Sequence, residues 1–308
     1  MLPTTLTDAH GPLIRVNPIP APGGLHPAVQ RLTFADGVRV IAKQYLFYPQ
    51  TAGHPYDLLD TESDVTRTLA EAGCPVAHVL ATDPETGVVF LEDLAARTLD
   101  DVAQQGGPST RARVADRAIE AFGRLQSAFV KNEDHLKERV APGTEPESVI
   151  RNFLNAFSEL PSHLPGPKLL ALAESIADRP LVLGPTDYNA RNILIAENES
   201  PHFIDLAKVG YDWPERRLVQ YVTSLGAGTP GGRVTSLLDP LSATRYGPAT
   251  ESTTAIRDLD AHHVLFHTLA LLRGFRVPLT SLAMCLSNDE QVSEVRRRMF
   301  DVCQTERR

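Results

Sequence analysis

The sequence predicts an α+β chain of two lobes, a small antiparallel β N-lobe followed by a larger, mostly helical C-lobe. Three observations lead there. Two β-prone runs, AVQRLTF (28–34) and VRVIAKQYLF (38–47), flank Ala35-Asp36-Gly37, a hairpin turn signal. From Leu99 onward the apolar residues recur at helical rather than alternating spacing. A single β island at 181–207 interrupts those helices. The lobes are expected to divide as 1–93 and 94–308.

Proline and glycine blocks, PIPAPGG (18–24) first among them, read as loops between elements. A helix is expected from about Asp60 to Ala72, with Val65, Leu69 and Ala72 on one face and Gly73 as its stop. VAHVLAT (76–82) and GVVFLEDL (87–94) read as strands joined through Asp83-Pro84-Glu85-Thr86-Gly87. Thr110 to Lys131 is a long amphipathic helix with Val114, Ala118, Ala121, Phe122 and Leu125 inward. Helical patterns follow near 147–158 and 167–178. The island reads as LVLG (181–184), then a hairpin of NILIA (192–196) and HFIDLA (202–207). Helices return at about 215–226, 251–274 and 288–304.

The chain has 308 residues, a length that suits two lobes better than one core. Its net charge of −8 argues against general nucleic-acid binding, which needs a basic footprint, and leaves room for a cationic small partner. Cys74, Cys285 and Cys303 are odd in number and widely spaced, which excludes a disulfide scaffold and a Cys-only zinc site and suits a reducing, cytoplasmic setting. The opening MLPTTLTDAHGPLIRV lacks the charged and apolar regions of a signal peptide, and no window reaches the ~20 apolar residues of a membrane span. Neither nucleic acid nor membrane is an expected partner.

Around the island stands Asp187-Tyr188-Asn189-Ala190-Arg191-Asn192, with Asp205 further on. Phosphoryl transfer needs a carboxylate to take or orient the proton of the attacking hydroxyl, and an Asn and a second Asp to hold the Mg²⁺ that bridges nucleotide phosphates. Asp-x4-Asn on a loop, followed by a hairpin ending in Asp, can bring those three groups together. Upstream, Lys43 interrupts an apolar strand and Glu62 follows near the start of the next helix, so the pair can aim an ammonium at phosphates. Taken alone, Lys43 reads as an edge-strand lysine and Glu62 as a first-turn carboxylate favoured by the helix dipole; their order relative to the hairpin favours the phosphoryl reading. Gly23 and Gly24 stand where a phosphate-covering loop would sit, although neither G-x-G-x-x-G nor G-x4-G-K-[ST] is present.

Three segments resemble the aminoglycoside phosphotransferase and choline kinase-like family, relatives of the protein kinases. TESDVTRTLAEAGCPVAHVLATDPETGVVFLEDL (61–94) is similar to its helix, strand and hinge; LVLGPTDYNARNILI (181–195) to its catalytic loop; and HFIDLAKVGYDWPE (202–215) to its metal-binding strand. The resemblance spans roughly 20 to 225 and implies a protein-kinase-like fold. It implies that Lys43, held by Glu62, contacts the α and β phosphates, that Asp187 is the catalytic base, and that Asn192 and Asp205 bind Mg²⁺. It also implies a hinge at Phe90 to Leu94, with backbone groups of Glu92 and Leu94 offered to adenine. Three positions depart from the family pattern: Pro185 stands where the catalytic loop carries His, Arg217 where the following helix carries a second structural Asp, and Leu125-Gln126 where the long helix ends in Leu-His.

The reading is therefore a Mg²⁺-dependent phosphotransferase using ATP or GTP on a hydroxyl of a small molecule. Its acceptor is an aminoglycoside-like antibiotic, an amino alcohol, a sugar or a biosynthetic intermediate. A peptide Ser/Thr acceptor in a natural-product pathway stays open, and the three departures keep open a catalytically weak, kinase-shaped subunit that binds a partner protein. Two further patterns lie outside this constellation. His263 and His267 have metal-ligand spacing on a helix but read as core, leaving a metal hydrolase only as a formal alternative. Asp258 and Asp260 read as a solvated face, or as lining for a cationic acceptor.

Overall fold

The computed structural model describes residues 2–21, 24–45, 50–51, 54–94, 96–239, 255–278 and 289–305. In chain order its N-terminal part holds α1 (Thr4–His10), β1 (Leu13–Ala21), β2 (Gly24–Phe34), β3 (Arg39–Gln44), the two-residue strands β4 (Gln50–Thr51) and β5 (His54–Pro55), α2 (Leu58–Glu71), β6 (Val79–Asp83) and β7 (Val88–Glu92). Five of these strands form one sheet in the order β1-β2-β3-β7-β6, every neighbour antiparallel.

Strand alternation divides the apolar residues between the two faces. Val40, Ala42, Phe90 and Val88 face α1, around Leu6 and Phe34. Ile41, Tyr45, Val89 and Leu91 face the other way, against Leu59 of α2. Lys43 has the parity of Ile41 and Tyr45, so the strand itself delivers its side chain to the α2 side. Helix α2 begins on Asp57, whose carboxylate accepts the Asp60 N–H at 3.0 Å. It ends as expected at Gly73, whose φ of +76° lets the Cys74 N–H reach back to Leu69 O at 2.9 Å.

The described part of the PIPAPGG block is not a loop: Pro18 to Ala21 end β1 and Gly24 starts β2, where Ala21 pairs with Gly24. Pro18 and Pro20 are tolerated because β1 is an edge strand and the register shifts between them.

The second part starts with β8 (Arg97–Thr98) and α3 (Leu99–Gln105). Four helices follow: α4 (Pro108–Lys131), α5 (Glu133–Leu136), α6 (Pro146–Ser158) and α7 (Gly166–Ala177). The β island comes next, as β9 (Val182–Pro185), β10 (Ile193–Ile195), β11 (Pro201–Phe203) and β12 (Val209–Asp212), then α8 (Pro214–Tyr221), α9 (Ala255–Leu272) and α10 (Glu290–Thr305). Helix α4 buries Val114, Ala118, Ala121, Phe122 and Leu125 in the main core, where Leu183, Ile193, Phe203 and Tyr221 join it. The island holds two strand pairs rather than a lone hairpin: β10 pairs with β11 and β8, while β9 pairs with β12. The β12 run VGYD is too short to show alternation, and it became visible only through its partner. Among the described residues no helix is long and apolar enough to cross a membrane.

Candidate active site

Lys43, Glu62 and Asp205, from a strand, a helix and a loop, meet at one point. Lys43 Nζ lies 3.1 Å from Glu62 Oε2 and 2.5 Å from Asp205 Oδ1. Burial alone would depress the Lys43 ammonium, but the two carboxylates outweigh it and hold its pKa above the usual lysine value. Glu62 is buried on the inner face of α2 and also accepts a hydrogen bond from the Tyr45 hydroxyl, while Lys43 stands 4.8 Å above the Tyr45 ring. Burial, reinforced by the Glu62 charge, raises the Tyr45 phenol and keeps it a donor. Glu62 is thus no ordinary surface carboxylate of a first helical turn.

Asp205 follows the end of β11 with φ of +61°, in the left-handed region that Asp enters more readily than most residues. The adjacent Ile204 N–H donates to Asn192 O at 3.0 Å, tying this turn to the loop after β9. In that loop the Asn192 amide donates to the Asp187 carbonyl at 2.6 Å, and the Asn189 amide to Asp187 Oδ1 at 3.3 Å. The side chains of Asp187 and Asp205 are 38% and 36% exposed, so both stay accessible to a partner in solution. Beneath them Tyr221 is fully buried. Burial pushes its hydroxyl far up, Arg217 opposes this, and the Asp187 and Asp205 charges add to it.

Asp187 has a cation beside it: Lys208 Nζ lies 3.6 Å from its Oδ2, and the Lys208 carbonyl accepts the Thr186 N–H at 3.0 Å. The next residue, Tyr188, donates its hydroxyl to Asp212, which also accepts from the Trp213 N–H and from Arg216. Sequence reasoning missed Lys208, Tyr45 and Asp212. Lys208, three residues after Asp205, was the one detectable by position.

Of the remaining predicted residues, Gly24 pairs with Ala21 at the end of the first hairpin, and Gly23 lies outside the described residues. Glu92 ends β7 with its N–H donating to His78 O at 2.9 Å, and Leu94 lies just past the strand. Between them Asp93 accepts Arg31 Nε at 2.7 Å and lies 3.2 Å from Arg39 Nε, which pins the segment to β2 and β3.

Asp258 and Asp260 are neither a solvated face nor an open lining. Both are buried, beside Arg179 at 3.2 Å and Arg296 at 3.3 Å respectively. His263 and His267 are buried as well, and the His267 Nδ1 lies 2.8 Å from the His263 carbonyl. Among the described residues no group of three or more His, Cys, Asp or Glu could hold a metal ion. Asn192 and Asp205 nonetheless supply oxygen donors of the hard kind that Mg²⁺ prefers, and Lys43 takes only Oδ1 of Asp205.

A search among proteins of curated function finds no match to the chain. Among solved structures, a macrolide 2'-phosphotransferase, MphH from Brachybacterium faecium, superposes with a TM-score of 0.55 at 14% identity over 87% of this chain and 91% of that one. The AMP-bound spectinomycin phosphotransferase APH(9)-Ia superposes with a TM-score of 0.51 at 13% identity over 97% and 95%. These likenesses show a shared protein-kinase-like fold, an antiparallel sheet region followed by a helical one. The match to the family described as the phosphotransferase enzyme family covers residues 19–239, and it includes every described residue of the Lys43, Asp187 and Asp205 constellation. The chain therefore belongs to that family, as an enzyme that phosphorylates hydroxyl groups.

Proposed function

We propose that this protein is a Mg²⁺-dependent kinase that moves the γ-phosphoryl group of ATP or GTP to a hydroxyl of a small molecule. The observation that carries the reading is the Lys43 ammonium shared between Glu62 and Asp205. A buried helix carboxylate and the turn carrying the metal-type Asp are thereby fixed relative to one cation. The lobe boundary we assign, between 93 and 94, puts the adenine beside Leu94, since the Glu92 N–H is committed to His78.

In this reading Asp187 accepts the proton of the acceptor hydroxyl as its oxygen bonds to the γ-phosphorus, and the bond from that phosphorus to the β-γ bridging oxygen breaks to release the nucleoside diphosphate. Lys43 holds the α and β phosphates, and its bond to Glu62 sets where its charge lies. Asn192 and Asp205 would hold Mg²⁺, whose charge would offset that developing on the β-γ bridging oxygen. Lys208 Nζ, 3.6 Å from Asp187 Oδ2, helps to hold that carboxylate in place. The acceptor is a small hydroxyl compound. Because Asp258 and Asp260 are already paired with arginines, they provide no acidic pocket for a polycation.

Calorimetric titration with ATP and GTP, each with and without Mg²⁺, tests the reading. Mg²⁺-dependent binding that Asp205→Ala weakens is the expected result. Absence of binding by either nucleotide would overturn it.

A further inference from the structure

Arg217 has no place in the chemistry above, yet it is among the most completely enclosed side chains in the protein, at 0% exposure. Its guanidinium donates to four backbone carbonyls: Nε to Pro185 at 3.1 Å, Nη1 to Leu183 at 3.5 Å, and Nη2 to Val182 at 2.8 Å and Gly210 at 2.9 Å. Nη1 also donates to the Gln126 side-chain oxygen on α4 at 3.1 Å. The first three carbonyls belong to β9, which runs directly into Thr186 and Asp187; the fourth belongs to β12.

The strands are shaped around this side chain. Gly184 and Gly210 face each other across the β9/β12 ladder. A Cβ on Gly184 would lie 2.6 Å from Arg217 Nη1, and one on Gly210 would lie 2.2 Å from Thr144 Oγ1 in the turn before α6. The guanidinium occupies the space that any side chain at 184 would need. Burying a guanidinium costs several kcal/mol unless its donors are satisfied, and here planar donors meet carbonyls from two strands at once. Arg217 thus touches both of the other positions that depart from the family pattern, Gln126 and Pro185.

We propose that Arg217 is the positioning residue of the catalytic loop: by clamping β9 to β12 beside Gly184, it fixes where Asp187 stands relative to Asp205. This rests on Asp187 being the base, and the test separates the two claims. Arg217→Lys keeps the charge but replaces the planar fork with a single ammonium, and Gly184→Ala drives a methyl group into the guanidinium. Both are compared with wild type and Asp187→Asn for Mg·ATP and Mg·GTP hydrolysis, nucleotide affinity by calorimetry, and amide exchange by mass spectrometry.

The expected result for both brace variants is a fall in kcat of about a hundredfold, the usual cost of misplacing a catalytic group by about 1 Å. Nucleotide affinity stays within threefold, and exchange quickens over 184–192 but not over α2. Gln126→Ala, which removes one contact and should fold normally, shifts both readouts in the same direction by a smaller factor. Unchanged kcat and unchanged exchange at 184–192 in folded variants overturn the proposal. So does a loss of kcat that comes with equal loss of nucleotide affinity and of protection across the whole chain, since that is a merely structural role. Should Arg217→Lys and Gly184→Ala not fold, an unaltered Gln126→Ala overturns it alone. An Asp187→Asn enzyme as active as wild type sinks the base assignment, while the exchange data still report on the clamp.

Discussion

Lys43 Nζ and Asp205 Oδ1 lie 2.5 Å apart although 162 positions separate the residues in the chain. The contact joins β3 of the N-terminal sheet to the turn after β11, with Glu62 as the third member. A lysine ion-paired on both sides cannot be removed without leaving two carboxylates facing each other, one of them fully buried.

Lys43→Met should therefore cost about 3–5 kcal/mol of unfolding free energy, the range for stranding a buried charge. Glu62→Gln combined with it should recover part of that loss, because the stranded charge is gone. Urea unfolding of the two single variants and the double variant measures the coupling, and strictly additive losses would show that the pair does not act as a unit.

Asp187→Ala removes the proposed base but none of the nucleotide contacts. Transfer to the acceptor should fall by about 10²–10⁴-fold, with nucleotide affinity within threefold of wild type. Retention of most of the turnover, measured by product formation at saturating nucleotide, would assign the proton to another group.

Asp205→Ala should abolish the difference between nucleotide affinity with and without Mg²⁺. Asn192→Ala should reduce that difference, since both side chains supply oxygen donors of the same hard type. Calorimetry at fixed nucleotide and varied Mg²⁺ reads this directly. An intact Mg²⁺ effect in both variants would place the metal elsewhere.

Stability should fall on mild acidification. Burial holds His262 and His263 well below the free imidazole value of 6.5 and His267 at about 4. Below 6.5 the unfolded chain therefore binds protons that the folded chain refuses, and each such histidine removes about 1.4 kcal/mol per pH unit down to its folded value. Asp260 acts in the opposite sense. Burial raises it to about 6 against the pull of Arg296, so between there and its ordinary value of 3.8 the folded state binds the extra proton. Three groups against one give a net loss from pH 6.5 downward. Urea midpoints at pH 7.5, 6.0 and 5.0 should decline in order, and a flat series would mean that the histidines are solvated.

Much of this protein is written in local patterns. Strand alternation alone turns Lys43 toward α2, the 3.6-residue period of α2 puts Glu62 on the same inner face as Leu59 and Leu69, and the spacing of Asp187, Asn192 and Asp205 marks a loop and a hairpin. These signals are legible because each depends on neighbours within a few residues. The elements that were misread depend on partners far away. PIPAPGG reads as a loop because proline breaks most strands, and only the place of Pro18 to Ala21 at a sheet edge lets that stretch pair as a strand. The VGYD strand is defined by β9.

The charged residues outside the local patterns divide in the same way. Asp258 and Asp260 look like a solvated face until Arg179 and Arg296 arrive from α7's end and from α10. Arg217 looks like a defect in a family motif until it lies against Gly184, with Gln126 and four carbonyls from two strands around it. Composition and periodicity settle which face a side chain takes on its own element. What that face meets depends on long-range closure, where satisfying a buried charge outweighs any local preference.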